Sequence, residues 1–178
     1  MFAKVGQKAP DFSMLTTNNI ETLDHVVTLE NYQGKWLILF FYPLDFTFVC
    51  PTEIKGFNSR LDEFQSLGAE VLGVSVDSVY SHRAWIKASR AEGGLGDLSY
   101  PLASDITKQV ARDYGVLIEE KGISLRGLFI IDPESVIRYQ VVSDLNVGRS
   151  VDEIMRVLQA LQTGGLCPID WHAGERTL

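Results

Sequence analysis

The chemistry of this chain concentrates in one run, Phe40-Phe41-Tyr42-Pro43-Leu44-Asp45-Phe46-Thr47-Phe48-Val49-Cys50-Pro51-Thr52-Glu53. One of only two cysteines stands there just after a buried-looking strand and a proline, at the mouth of an expected helix. A helix N-terminus carries unpaired N–H groups and a partial positive charge, so a thiol held there ionises more readily. The thiolate is the reactive form, which makes Cys50 a candidate nucleophile. The second cysteine, Cys167, lies near the other end in Gly164-Gly165-Leu166-Cys167-Pro168 and reads as an exposed tail thiol. By count alone, two inert buried thiols are the commoner outcome. The setting of Cys50 points instead to redox chemistry.

Placing Cys50 requires a strand before it and a helix after it. Trp36 to Phe41 is a continuous apolar run before a proline, suited to a strand buried on both faces. Beyond Cys50, Ile54, Phe57, Leu61, Phe64 and Leu67 recur at spacings of three and four, one face of a helix that Gly68 would cap. Pro51 falls in the first turn, where its missing N–H is not needed. Residues 70–76 read as a second buried strand, 81–91 as a helix broken by Gly93 to Gly96, and 107–114 as a shorter helix ending at Gly115. Gly127 to Ile131 and Val136 to Val142 form a hairpin around Asp132-Pro133-Glu134-Ser135. Ser150 and Glu153 are spaced as a capping box for a last helix with Val151, Ile154, Val157, Leu158 and Leu161 on its apolar face. This order predicts an α/β protein of thioredoxin-like fold, a mixed central sheet with helices on both faces. Residues 1–161 make the domain and 162–178 a C-terminal tail. Cys50 then sits at the carboxyl end of a central strand, where open α/β sheets commonly bind ligands.

Composition narrows the function. The 178 residues are 46% hydrophobic and 22% charged, which fits one globular domain, and the net charge of −7 argues against nucleic acid as a partner. No apolar run is long enough for a membrane span, and the segment from Met1 to Gly6 lacks the pattern of a secretory leader. A soluble, cytoplasmic protein is expected. His25, His82 and His172 are scattered and share no metal-ligand spacing with either cysteine.

Pro43-x-x-x-Thr47-x-x-Cys50 resembles the peroxiredoxin active-site motif. The longer run resembles the typical two-cysteine branch, which includes the thioredoxin peroxidases and the peroxidase component of bacterial alkyl hydroperoxide reductase. The similarity continues through Trp85, Gly93-Gly94-Leu95-Gly96, Leu125-Arg126-Gly127-Leu128-Phe129-Ile130-Ile131-Asp132, Val147-Gly148-Arg149-Ser150 and Cys167-Pro168, covering nearly the whole chain. The resemblance implies a thiol peroxidase for hydrogen peroxide and organic hydroperoxides that needs no metal, haem or flavin. Cys50 would attack one peroxide oxygen and become a sulfenic acid. Thr47 would aim its hydroxyl at the thiolate or the peroxide, or cap the helix, two compatible roles. Arg126 would stabilise the thiolate and the departing oxygen, Pro43 would shield the thiolate from water, and Glu53 and Arg149 would form a supporting polar pair.

The same resemblance makes Cys167 the resolving cysteine, acting from the other subunit of a dimer, with five dimers to a ring. A thioredoxin or a flavoprotein disulfide reductase would then reduce the disulfide. A thioredoxin-type oxidoreductase would need Cys-x-x-Cys, and the position three beyond Cys50 is Glu53. A chaperone or peroxide-signalling role is a second function open to such a family. In peroxide-sensitive relatives the Gly-Gly-Leu-Gly loop packs against a C-terminal helix carrying a Tyr-Phe pair. Residues 168–178 hold neither residue type, which implies robustness to excess peroxide unless Trp171 supplies the packing.

Overall fold

The computed structural model describes residues 3–178; Met1 and Phe2, where the leader reading begins, lie outside the described residues. Its main sheet has seven strands: Ser13–Thr16 (β1), Val26–Thr28 (β2), Trp36–Phe41 (β3), Ala69–Ser75 (β4), Leu102–Ser104 (β5), Arg126–Ile131 (β8) and Ile137–Ser143 (β9), in the order β2-β1-β5-β4-β3-β8-β9. Leu117–Ile118 (β6) and Ile123–Ser124 (β7) form a separate two-stranded ribbon. β3 runs parallel to β4 and antiparallel to β8, so the sheet is mixed and β3 is interior to it. This is the thioredoxin-like arrangement that the order of elements implies.

Period-two alternation explains why the apolar run of β3 has no polar face. Leu37, Leu39 and Phe41 enter one core cluster, while Ile38, Phe40 and Tyr42 enter the other. The second of these faces carries Cys50–Ser59 (α1), Leu61–Ser66 (α2), Val79–Lys87 (α3) and Val151–Thr163 (α5). The opposite face carries Gln109–Asp113 (α4) and the N-terminal segment with Phe12, Met14 and Leu29. Helices cover both faces, unequally.

Several boundaries differ from the sequence reading. The helix after Cys50 is two helices, broken at Arg60, whose φ of −119° and ψ of 16° leave the helical region. Gly56 weakens the end of α1, and Ser59 Oγ donates back to the Gly56 carbonyl at 2.8 Å in competition with the backbone ladder. The apolar stripe survives the break: Ile54, Phe57, Leu61 and Phe64 share one cluster. Leu67 ends α2 and Gly68 follows at φ 68°.

The helix expected over 81–91 runs instead from Val79 to Lys87, because the Ser78 hydroxyl accepts from Ser81 N at 3.2 Å and Ser89 starts a separate 3-10 turn over Arg90–Glu92. α4 is shorter than 107–114 because Lys108 sits at φ 63°, and the Asp105 carboxylate receives Val110 N and Ala111 N at 3.2 and 2.7 Å. At α5 only half of the capping box forms. Ser150 Oγ accepts from Glu153 N at 3.2 Å, but the Glu153 carboxylate turns to the Arg156 guanidinium at 2.6 and 2.8 Å. The short strands β1, β2 and β5 carry too few residues for alternation to mark them.

Candidate active site

β3 delivers the chain at Phe41, and Tyr42 to Val49 form the loop into α1, with Cys50 as its first helical residue. Cys50 is fully buried and packs in the cluster with Ile54 and Phe57 of its own helix. Pro43, at the start of the loop, is buried as well. Register brings Arg126 to the same place. Phe40 pairs with Leu128 across β3 and β8, and extending that antiparallel register by two residues sets Arg126 beside Tyr42.

The Arg126 guanidinium is 3% exposed and fixed from three directions. Nη1 donates toward Cys50 Sγ at 3.4 Å and to Glu53 Oε2 at 2.6 Å, while Nε donates to the Leu145 carbonyl at 2.8 Å. Nη2 has no partner among the described residues. No fully buried side-chain nitrogen or oxygen lacks one there, so Nη2 is not fully enclosed. Glu53 stands one turn after Cys50 and is 3% exposed. Its other oxygen accepts from Arg149 N at 2.8 Å and Arg149 Nε at 2.7 Å, and Arg149 Nη2 reaches Oε2 at 3.0 Å. Arg149 Nη1 is anchored on the Gly127 carbonyl at 2.6 Å, and its guanidinium lies 5.4 Å from the centroid of the Phe40 ring.

Burial by itself pushes the Glu53 carboxyl up, but the hydrogen bonds and charge of Arg149, followed by the charge of Arg126, outweigh it and hold the group below its ordinary value. One carboxylate between two guanidiniums leaves the cluster with net positive charge beside the Cys50 sulfur. Such a site favours an anion and offers preset donors where negative charge develops.

The structure thus brings Cys50, Arg126, Glu53 and Arg149 together. It places two other candidates differently from the sequence reading. Thr47 does not cap α1: the cap position is Val49, without a side-chain bond, and the Thr47 hydroxyl donates to the Leu44 carbonyl at 2.8 Å. Its oxygen lone pairs still serve as acceptors. Cys167 is half-buried rather than exposed, with Sγ 3.7 Å from the Ala160 carbonyl and 3.4 Å from Thr163 Oγ1, against the end of α5. Both cysteines are free thiols, and no contact joins them among the described residues.

Trp171 is 3% exposed. Its indole donates to the Glu175 carbonyl at 3.1 Å and its own carbonyl accepts from Arg156 Nη1 at 2.9 Å, so it packs on α5. The Gly93 to Gly96 loop is held instead by Trp85 Nε1 on the Gly93 carbonyl at 2.9 Å and Lys55 Nζ on the Gly94 carbonyl at 3.3 Å. The carbonyls of Leu145 and Gly127, which orient the two arginines, carry no sequence signal. Asp45, a charge within the apolar run, does carry one, and it is buried.

The AhpC/TSA family model matches residues 5–140. A protein of the Clostridium pasteurianum rubredoxin operon is 59% identical over 174 residues, covering 98% of each chain. The mitochondrial thioredoxin-dependent peroxide reductase of Drosophila melanogaster is 52% identical over 173 residues, covering 95% of this chain and 73% of that one. Among solved structures, the reduced 2-Cys peroxiredoxin of Plasmodium vivax superposes with a TM-score of 0.90 at 41% identity, over 97% of this chain and 91% of that one.

Proposed function

Because the chain belongs to the AhpC/TSA family and is a peroxiredoxin-type peroxidase, we propose that it reduces hydrogen peroxide and organic hydroperoxides through Cys50. The Cys50 thiolate attacks one peroxide oxygen. A sulfur–oxygen bond forms as the oxygen–oxygen bond breaks, and the departing oxygen leaves as water or an alcohol after taking up a proton. The observation that carries this reading is Arg126 Nη1 at 3.4 Å from the sulfur, with Nη2 left without a protein partner among the described residues. That fork can hold the thiolate and the departing oxygen together. Thr47 accepts from the peroxide hydroxyl, and buried Pro43 keeps water from the sulfur. Glu53 and Arg149 orient Arg126.

In the second step the Cys167 thiol of the other subunit attacks the Cys50 sulfenic acid, forming a disulfide and releasing water. β9 is an edge strand, and pairing with its twin supplies the dimer; five dimers complete the assembly. A thioredoxin, the reductant named for the Drosophila relative, or a flavoprotein disulfide reductase returns the thiols. The cytoplasm is the proposed location, supported by the similarity to the Clostridium pasteurianum protein.

Stopped-flow mixing tests the assignment. Reduced wild-type protein should consume peroxide in proportion to its Cys50 content, and Cys50→Ser protein should consume none. Consumption of one equivalent by the serine variant would refute it.

A further inference from the structure

A second, largely buried polar cluster lies beside the active-site loop, and the peroxidase reading makes no use of it. Its centre is His82 on α3, which is 0% exposed. His82 Nε2 faces the Ala103 carbonyl of β5 at 3.1 Å, an atom that only accepts, so this nitrogen holds a proton. Nδ1 faces Asp45 Oδ2 at 2.8 Å. The same oxygen receives the Ser81 hydroxyl at 2.7 Å, and Oδ1 receives the Tyr42 hydroxyl at 2.9 Å. Burial first, and then the Asp45 carboxyl beside it, push Tyr42 well above the ordinary tyrosine value and keep its hydroxyl a donor.

Nδ1 also lies 3.4 Å from the Tyr42 hydroxyl, so both ring nitrogens are tied into the cluster, one to β5 and the other to the loop. No buried side-chain nitrogen or oxygen among the described residues lacks a partner, so the cluster is complete without a ligand. Asp45 is also held by its backbone, whose N–H donates to Asp77 Oδ2 at 2.9 Å; Ser75 Oγ fixes that carboxylate at 2.7 Å. The midpoint of the Tyr42 to Val49 loop is thus gripped by Tyr42 at the loop's own start, by Asp77 just beyond β4, by α3 and, through the ring, by β5. Pro43 and Thr47 stand two residues to either side of it. Phe46 is held at φ 54°, a conformation that a non-glycine residue keeps only when its surroundings impose it. A histidine serving only to fill the core would need its volume, not two directed bonds joining a catalytic loop to a strand.

We propose that His82 is a positioning residue for the peroxide step: through Asp45 it clamps the loop that sets Pro43 and Thr47 over Cys50 and so keeps the pocket closed. This inference rests on the peroxidase reading. Weakening the clamp should slow attack on peroxide, which needs the closed pocket, and speed disulfide formation, which needs Cys50 released. General damage would slow both.

The test is stopped-flow kinetics on the full chain, following peroxide consumption and disulfide formation separately. His82→Leu should lower the first rate roughly ten-fold or more and raise the second. His82→Asn, which restores a donor toward Asp45, should recover most of the difference. Imidazole nitrogen-15 spectra of the wild type should show a hydrogen-bonded Nδ1, and Asp45→Asn should shift that resonance. Should His82→Leu fail to fold, the Tyr42→Phe, Ser81→Ala double variant removes two bonds to the carboxylate and keeps the ring; it should show the same opposed shifts at about three-fold. Unchanged rates in a folded variant, two rates falling together, or an Nδ1 resonance that Asp45→Asn leaves in place would overturn the proposal. Failure of the wild type to consume peroxide would instead sink the peroxidase reading, which separates the two.

Discussion

Arg126 reaches Cys50 across the strand pairing of β3 and β8, with Nη1 3.4 Å from the sulfur. The same nitrogen gives its other proton to Glu53 at 2.6 Å, so the distance to the thiol is set by a carboxylate one turn along the same helix. Neither contact depends on a flexible loop alone.

Arg126→Ala should slow the peroxide step several hundred-fold, a loss of about 3–4 kcal/mol if the guanidinium acts as an oxyanion-type donor. Arg126→Lys should also be poor, because an ammonium cannot serve Glu53, Leu145, the sulfur and the oxygen at once. The second-order rate from rapid mixing decides this, and a near-normal alanine variant would remove Arg126 from the site.

Cys167→Ser should leave the first turnover intact and prevent disulfide-linked recycling. Oxidised wild-type protein should migrate as a covalent dimer on a non-reducing denaturing gel, and the serine variant as a monomer. A wild-type protein that remains monomeric after oxidation would count against resolution between subunits.

Acid should dismantle the Glu53 cluster. Arginine neighbours hold this carboxyl below its ordinary 4.5, so its stabilisation is fully present above that value and disappears as pH falls through the lowered one. Glu53→Gln should cost about 3 kcal/mol at neutral pH, because it leaves two buried guanidiniums without a charged partner. The gap in melting temperature between wild type and variant should close on acidification below 4.5. A gap that stays constant would show that the charge of Glu53 is not what stabilises the cluster.

Gly94 has no room for a side chain: an added Cβ would lie 1.9 Å from the Ala88 carbonyl oxygen, a backbone atom that cannot rotate away. Gly94→Ala should displace the loop and weaken its bonds from Trp85 and Lys55, costing about 1–3 kcal/mol. Thermal unfolding should report a drop of a few degrees to about 10 °C. An unchanged midpoint would mean that the loop shifts freely.

What the sequence makes legible follows the range of the forces involved. β3, the hairpin of β8 and β9, the start of α1 and the face of α5 rest on local periodicity and turn residues, and they stand where the pattern puts them. The break at Arg60 and the early end of α3 turn on single serine hydroxyls, which periodicity does not register. The polar pairing around Glu53 joins residues 73 and 96 positions apart, so their types are visible but their contacts are not. His82 illustrates the limit. Its spacing offers no metal-ligand pattern, and its bond to Asp45 exists only once α3 is laid against the loop.

Glu53 and Cys50 share the first turn of α1, and this gives the helix a restoring force. Cys50 is fully buried, so carrying its sulfur to another thiol means unwinding that turn. On the proposed mechanism, unwinding would also withdraw Glu53 and leave Arg126 and Arg149 as two like charges without their carboxylate. Such an open state would be electrostatically loaded, and the load would grow with the departure of the residue that the opening is meant to deliver. Rewinding would discharge it. On that reading the helix is a spring whose catch and whose cargo lie one turn apart, and restoring the thiol would reset the pocket.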